Sequence, residues 1–221
     1  MWPWHNNNKQ LHLVLADHHL HAFIFSDKHA QTFLDAHHAW PLCFTADAAL
    51  LPTQRIIDDL RTFITAQQYN SYCHITIDTP YVEQSFCTHT SSTASPQELT
   101  NTLPEQYYQA TCIGAADQQY VFYLASIARP LLLQLQIIQT CLPMHPAAIE
   151  PPFHAQCTLF AQMLGSAYNQ ARVLQECDAQ TMRITPVFSR EFITRILSNA
   201  QAYLHIGTPL VIALGAYKGT K

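Results

Sequence analysis

Apolar residues recur along this chain with two different periods, which predicts strands and helices in alternation. Between Leu11 and Phe25 every second position is mostly apolar, so we predict two short strands with a turn near residues 16–19. The other predicted strands share an apolar run bounded by polar residues or proline: 72–79, 82–87, 118–128 and a short run that ends at Glu150. We expect 82–87 to pair beside 72–79, and Trp40 to Leu42 to be extended.

Helical spacing and helix start signals mark the segments between these strands. Thr53 is a cap before an amphipathic segment, and Ser95, Pro96 and Glu98 have the spacing of a capping box. The remaining predicted helices begin at a proline or a capping residue: one from Pro130, 152–164 before Gly165, one from Ser189 to about His205, and 210–217 after Pro209. Strand, helix, strand and helix therefore follow one another between 118 and 164, which predicts an α/β core with crossover connections.

Composition narrows the classes of function. The chain has 221 residues, of which 48% are hydrophobic and only 12% are charged, and its formal net charge is −4. This balance provides no basic field for nucleic acid, and so low a charge content suggests that part of the surface is normally covered. The chain has neither an apolar run long enough to span a bilayer nor a signal peptide, so we expect a cytoplasmic protein. Its seven scattered cysteines are interpreted as buried, reduced thiols.

Four stretches together resemble a known family. They are the helix 55–66 with the strand His74–Pro80, the segment 95–99, the passage from Tyr123 to Gln156 with Ile149-Glu150-Pro151, and the final segment 213–219. In this order and spacing the chain resembles the PilM-like proteins of type IV pilus and competence machinery, particularly the shorter ComA/HofM-type members. The resemblance covers roughly residues 10–165 and 205–219.

The resemblance implies an α/β actin-like ATPase fold, in which two RNase H-like halves enclose a nucleotide cleft. We therefore expect a loose leader at 1–9 and a first RNase H-like half at 10–145, with an inserted subdomain at about 88–128. Residues 146–221 would form a truncated second half, because the chain is shorter than a complete member of the family.

The family's phosphate-binding signature is altered in this chain. The position of its metal-holding aspartate falls on Val14, that of its turn glycine on Ala16, and that of its lysine on His21. The second phosphate loop and the glycine-rich adenosine loop have no counterpart within 166–190. Since Mg²⁺ needs carboxylate oxygens and phosphate needs close backbone approach, we expect no catalytic residue, no bound cofactor and no enzymatic activity.

By resemblance, the chain is expected to be a non-catalytic scaffold, peripheral to the inner membrane. It would bind the N-terminal tail of a PilN-like membrane protein that crosses the bilayer once, and would reach the membrane only through that partner. The implied groove lies between the first subdomain and the inserted one, near 70–87 and 95–128. A strand edge and apolar pockets there could take an extended peptide. No motif identifies individual groove residues.

Two alternatives remain open from the residues alone. One is a protein that still binds ATP, which would brace the two halves. The other is a metal-binding or nuclease module on an RNase H-like fold, for which the candidates are imidazoles and carboxylates: His18, His19, His21, His37, His38, Asp17 and Asp78. His154 is interpreted as structural, and the tyrosines between 107 and 123 as core or interface residues.

Overall fold

The computed structural model describes residues 9–16, 18–44, 50–51, 53–67, 72–116, 118–165, 177–178, 183–184 and 188–220. The expected leader lies outside these residues apart from Lys9, as does most of 166–187. The strands are β1 (Gln10–Ala16), β2 (His19–Lys28), β3 (Gln31–Pro41), β4 (Cys43–Phe44), β5 (Leu50–Leu51), β6 (Tyr72–Asp78), β7 (Val82–His89), β8 (Gln106–Ala116), β9 (Gln119–Ala128), β10 (His145–Glu150), β11 (Cys177–Asp178) and β12 (Arg183–Ile184). The helices are α1 (Thr53–Ala66), α2 (Pro96–Leu99), α3 (Arg129–Cys141), α4 (Pro152–Leu164), α5 (Arg190–Ile196) and α6 (Thr208–Gly219).

A five-stranded sheet with the order β10-β6-β1-β2-β3 forms the centre of the protein. β1, β2 and β3 are antiparallel neighbours, whereas β6 and β10 run parallel to β1. The hairpin predicted between Leu11 and Phe25 is therefore confirmed, but β2 is longer than expected and is followed by β3, which the sequence did not predict beyond the extended segment at Trp40. The β2–β3 turn is made by His29 and Ala30, both with positive φ.

The central strand β1 is covered on both faces, which explains its nearly continuous apolar sequence. Leu11, Leu13 and Leu15 pack into a core with residues of α1 and α3. On the opposite face, Val14 and Ala16 pack into a second core with residues of α4 and α6. The first sheet is thus the middle layer of three, with one pair of helices on each side.

On the second face of the sheet, α4 and α6 approach each other very closely. A Cβ atom added at Gly215 of α6 would lie only 2.2 Å from the backbone oxygen of Ala155 in α4. Glycine at this position therefore lets the two backbones touch, and a methyl group cannot be placed there without moving one helix. Gly215, which belongs to the final segment 213–219, therefore has a packing role in this fold.

A second sheet of three strands, with the order β7-β9-β8, follows β6 in the chain. It begins at Val82 and includes the segment expected as an insertion at about 88–128. The prediction that 82–87 pairs beside 72–79 is wrong, because β1 and β10 already occupy both edges of β6. β7 pairs instead with β9, and β8, which the sequence did not predict, pairs with the other edge of β9.

The segment after Ser189 docks on the free edge of β3. The Ser189 hydroxyl accepts a hydrogen bond from the Phe192 N–H, which confirms the predicted cap. The helix ends at Ile196 rather than near His205, so that part of the prediction is wrong. The physical reason is that the chain turns to meet β3: the Asn199 amide binds the backbone N–H and C=O of Leu34 at 3.0 and 2.8 Å. This contact satisfies backbone groups of an edge strand.

The expectation of buried thiols holds for Cys73 only. Cys43 and Cys112 are exposed and Cys87, Cys141 and Cys157 are partly exposed, and these six described cysteines form no disulfide. None of the helices in the described ranges combines the length and apolarity that crossing a bilayer requires.

We expect Gly215→Ala to lower the free energy of unfolding by about 2 kcal/mol or more, because the added methyl overpacks the contact between α4 and α6. Gly219→Ala in the same helix is the matched control, since there the nearest atom is the Thr158 hydroxyl at 3.2 Å, on a side chain that can move. Urea denaturation of both variants measures the difference. Equal stabilities would mean that the two helices are not in close contact.

Candidate functional site

An open cavity of about 30 Å³ lies between the second sheet and the edge of the first sheet. Its lining residues come from β6, β7, β8, β9, β10 and the start of α3: Ile77, Val82, Tyr107, Gln109, Ala125, Ser126, Ile127, Leu132, Ile149, Glu150 and Pro151. Most of them belong to the ranges 70–87 and 95–128, where the groove was expected. The site therefore joins the two subdomains.

The wall formed by the second sheet consists of side chains from neighbouring strands in register. Val82, Ile127 and Tyr107 are paired across β7, β9 and β8. Two positions further along, Ala125 pairs with Gln109 on β8. Since residues two apart on a strand point to the same face, these side chains form one surface. The surface is apolar on β7 and β9 and becomes more polar towards β8.

An aromatic stack fixes this wall to the rest of the protein. Tyr123 on β9 and Phe153 at the start of α4 are both buried and have ring centroids 4.3 Å apart with nearly parallel planes. Phe86 on β7 meets the Phe153 ring edge-on at 5.6 Å, and the Tyr123 hydroxyl donates to Gln84 at 2.6 Å. His154 packs edge-on against Tyr123, so its structural role is as expected. The stack therefore sets the distance between the two sheets.

Glu150 brings a carboxyl group into an otherwise apolar part of the cavity. It is the last residue of β10 and is followed by Pro151 and Pro152, which have no backbone N–H to offer it. In the described part of the chain, its carboxylate makes no ion pair and no side-chain hydrogen bond. Burial raises the pKa of Glu150 above its ordinary value, because the charged form is poorly solvated there.

A second, wider depression of about 350 Å³ shares Tyr107 with the cavity. It is lined by residues of α2, of the loop after it and of β8, together with Arg129. The short helix α2 is held by the predicted capping interaction, in which Glu98 accepts from the N–H and hydroxyl of Ser95 at 2.7 and 2.8 Å. Tyr107, 51% exposed, lines both depressions, which we describe together as the groove.

The positions of the altered phosphate signature lie in or beside the core. Val14 has no exposed surface, Ala16 is 4% exposed, and both pack against the layer formed by α4 and α6. His21 is the cross-strand partner of Val14, and its Nδ1 lies 3.2 Å from Nε2 of His37. The His37 ring also packs against Phe23 at 4.7 Å. This surface is therefore apolar and aromatic.

The candidates for a metal or nuclease site are spread over the molecule. His19 lies beside His21, with ring centroids 5.9 Å apart, while Asp78 ends β6 and Asp17 lies outside the described residues. His38 packs against Trp40 on β3. Within the described ranges, no group of three or more His, Cys, Asp or Glu side chains is arranged to hold a metal ion.

Sequence reasoning missed one side of the cavity. Leu132 and residues 149–151 line it, but they lie outside the two ranges from which the groove was expected. The available signal was Glu150, a carboxyl group at the end of a strand and directly before two prolines. Recognising it required the parallel pairing of β10 with β6, which places Glu150 next to Thr76 and so at the cavity edge.

Comparison with solved structures identifies the fold. A chain of the PilM–PilN type IV pilus biogenesis complex superposes with a TM-score of 0.54 at 10% identity, over 76% of this chain and 52% of that one. Lower scores are found for the cytoplasmic domain of EpsL, an inner-membrane component of the type II secretion system of Vibrio cholerae (0.45, 7% identity, 66% and 57% covered) and for a Bacteroides thetaiotaomicron protein with an actin-like ATPase fold and unknown function (0.40, 7%, 74% and 60%). No family model and no curated protein sequence matches.

The expected fold class, an α/β actin-like ATPase fold on an RNase H-like sheet, is therefore confirmed. The chain spans about half the length of the matching chain from the pilus complex. At 10% identity this likeness describes the fold. The partner and role of this chain do not follow from it directly.

The half-buried imidazole of His37, on the second face of the sheet, should make the protein less stable in acid. Burial, and then the neighbouring His21, His38 and His205, lower the pKa of His37 from 6.5 to about 4. The unfolded chain therefore binds more protons than the folded protein below pH 6.5, and stability is lost as the pH falls from 6.5 towards 4. We expect the melting temperature to drop over this range, and to drop less in His37→Gln.

His18→Gln is the matched control for this prediction, because His18 is exposed on the β1–β2 turn. Its melting temperature should follow the wild-type pH profile. A His37→Gln profile as steep as that of the wild type would contradict the assignment.

Proposed function

We propose that this chain is a non-catalytic cytoplasmic scaffold of a type IV pilus or DNA-uptake machine. In this role it binds the N-terminal tail of a PilN-like inner-membrane protein in the groove between its two sheets, and it reaches the membrane through that partner. The observation that carries the proposal is the shared fold with a chain of a PilM–PilN complex, combined with an open groove where the two sheets meet.

The chemistry of the groove supports an extended peptide as the occupant. Its wall offers apolar side chains for alternate residues of a bound segment, and β8 is an edge strand with one side not paired in the sheet. Edge strands and adjacent apolar pockets are the usual means of holding an extended peptide. Tyr107 supplies a large aromatic surface at the centre of the groove, where interface energy is often concentrated.

A non-catalytic role is supported by the surroundings of the former phosphate signature. Val14 and Ala16 belong to the core against α6, so a nucleotide would need to displace packed side chains to reach the backbone there. His21 is engaged with the His37 ring. The core contacts replace the carboxylate and the open turn that Mg²⁺ and phosphate require.

The first test is calorimetric titration of the protein, without nucleotide, with a synthetic peptide of the cytoplasmic tail of its cognate PilN-like protein. We expect micromolar or tighter binding, and we expect Tyr107→Ala to weaken it by about tenfold or more, as for a central aromatic contact.

Tyr120→Ala is the matched control, because Tyr120 on β9 is likewise an exposed tyrosine, at 36%, but does not line either depression. It should bind as the wild type does. No binding by the wild-type protein would overturn the proposed function, and equal losses in the two variants would place the peptide elsewhere.

A separate measurement tests the absence of nucleotide binding. A ligand present at a hundred times its Kd stabilises a folded protein by about 2.7 kcal/mol, which corresponds to about 5–10 °C for a domain of this size. We expect millimolar Mg²⁺-ATP to leave the melting temperature unchanged, whereas the tail peptide should raise it. A shift of several degrees with Mg²⁺-ATP alone would favour a residual ATP-binding protein instead.

A further inference from the structure

The cavity contains one charged group and a predominantly apolar lining. Five of its lining residues are aliphatic: Ile77, Val82, Ile127, Leu132 and Ile149. Glu150 is the only Asp, Glu, Lys or Arg among the lining residues. A carboxyl group in such surroundings reduces the stability of the folded protein when it is ionised, unless a cation neutralises it.

The described part of this chain does not supply that cation. Its ion pairs join Lys9 and Lys28 to Asp35, Arg55 to Asp59, and Arg61 to Asp58, all of them away from the cavity. Arg129 lies at the second depression, where its Nε donates to the backbone oxygen of Gln106 at 3.2 Å.

We propose that Glu150 is the counter-charge for an arginine or lysine of the bound partner segment, whose aliphatic stem lies against the apolar residues beside it. This inference rests on the proposed function, because it specifies the chemistry of the peptide that the groove takes. The partner segment is thereby an extended stretch with apolar residues around one obligatory basic residue.

The shape of the site fits such a side chain. Lysine and arginine have apolar stems that pack along aliphatic surface while their charged ends reach a polar partner. The aliphatic residues beside Glu150 line an open cavity, so a stem that enters from the open side would contact apolar surface on its way to the carboxylate. The ion pair would form in surroundings from which water is largely excluded, where charge-assisted hydrogen bonds are stronger than at an open surface.

Removal of the Glu150 charge should weaken binding of the peptide without destabilising the folded protein. Its raised pKa means that the folded state binds the proton more tightly than the unfolded chain does. Its contribution to stability is therefore present at low pH and is lost as the pH rises through the folded pKa. At neutral pH, Glu150→Gln removes an unfavourable buried charge, so this variant should melt at the same temperature as the wild type or higher.

The test is a double-mutant cycle measured by calorimetry at pH 7. The probes are the synthetic tail peptide of the cognate PilN-like protein and a set of copies in which each arginine is replaced by citrulline or each lysine by acetyl-lysine, one at a time. The proteins are the wild type, Glu150→Gln, and the control Glu105→Gln, whose carboxyl group is exposed and outside the cavity.

We expect Glu150→Gln to weaken binding of the unmodified peptide at least tenfold without lowering the melting temperature, and Glu105→Gln to bind normally. One neutralised peptide should bind the wild type and Glu150→Gln with equal, weakened affinity, which identifies the basic residue. The wild-type protein could bind the peptide with an affinity that neither Glu150→Gln nor any neutralised peptide changes. That result would overturn this inference and leave the proposed function standing. Absence of binding by the wild-type protein would overturn both.

Discussion

The stacked rings of Tyr123 and Phe153 are the contact on which the arrangement of the molecule depends. Tyr123 belongs to the second sheet, while Phe153 lies in the first turn of the helix that covers the first sheet. This pair joins the two subdomains, together with Val82 and Ile127, which pack into the core of the first sheet. Both rings are buried, and Phe86 and His154 pack against them. The groove lies just beyond this stack, and its width is therefore set by a rigid aromatic contact instead of a loop. A site held in this way keeps its shape before a ligand arrives, which reduces the entropy lost on binding.

The second face of the central sheet is filled by packed side chains. Val14 and Ala16, which the sequence resemblance aligns with an aspartate and a glycine of the phosphate signature, pack into the core between β1 and α6. The buried imidazole of His12 and the half-buried imidazole of His37 add aromatic packing to the same face. The groove at the other subdomain keeps an open surface instead. Since one fold can host different sites, the function of this chain is argued from the residues of that groove.

Much of the architecture could be predicted from sequence, because several elements carry strong local signals. Thr53, Pro130, Pro152 and Gly165 mark helix ends by their own backbone chemistry, and the structure has helices at those places. The strand β3 was missed because His29 and Ala30 form the turn before it. Both adopt positive φ, but tight hairpin turns are usually predicted from glycine, asparagine or aspartate. β8 was missed because the apolar and polar residues from Gln106 to Ala116 do not alternate regularly. The pairing of β7 and the role of Glu150 depend on contacts between distant segments, which local patterns do not contain.

The position of α6 has a consequence for how the protein is made. This helix, Thr208–Gly219, packs against β1, which begins at Gln10. One face of the first strand is therefore covered by a segment that lies about two hundred residues later in the chain. A ribosome adding roughly 5–20 residues per second would take about ten seconds or longer to reach α6 after it has made β1. Until then, α4 can cover only part of the apolar face that carries Val14, Phe23 and Phe25. The core on this face of the sheet is therefore completed only after α6 has been synthesised.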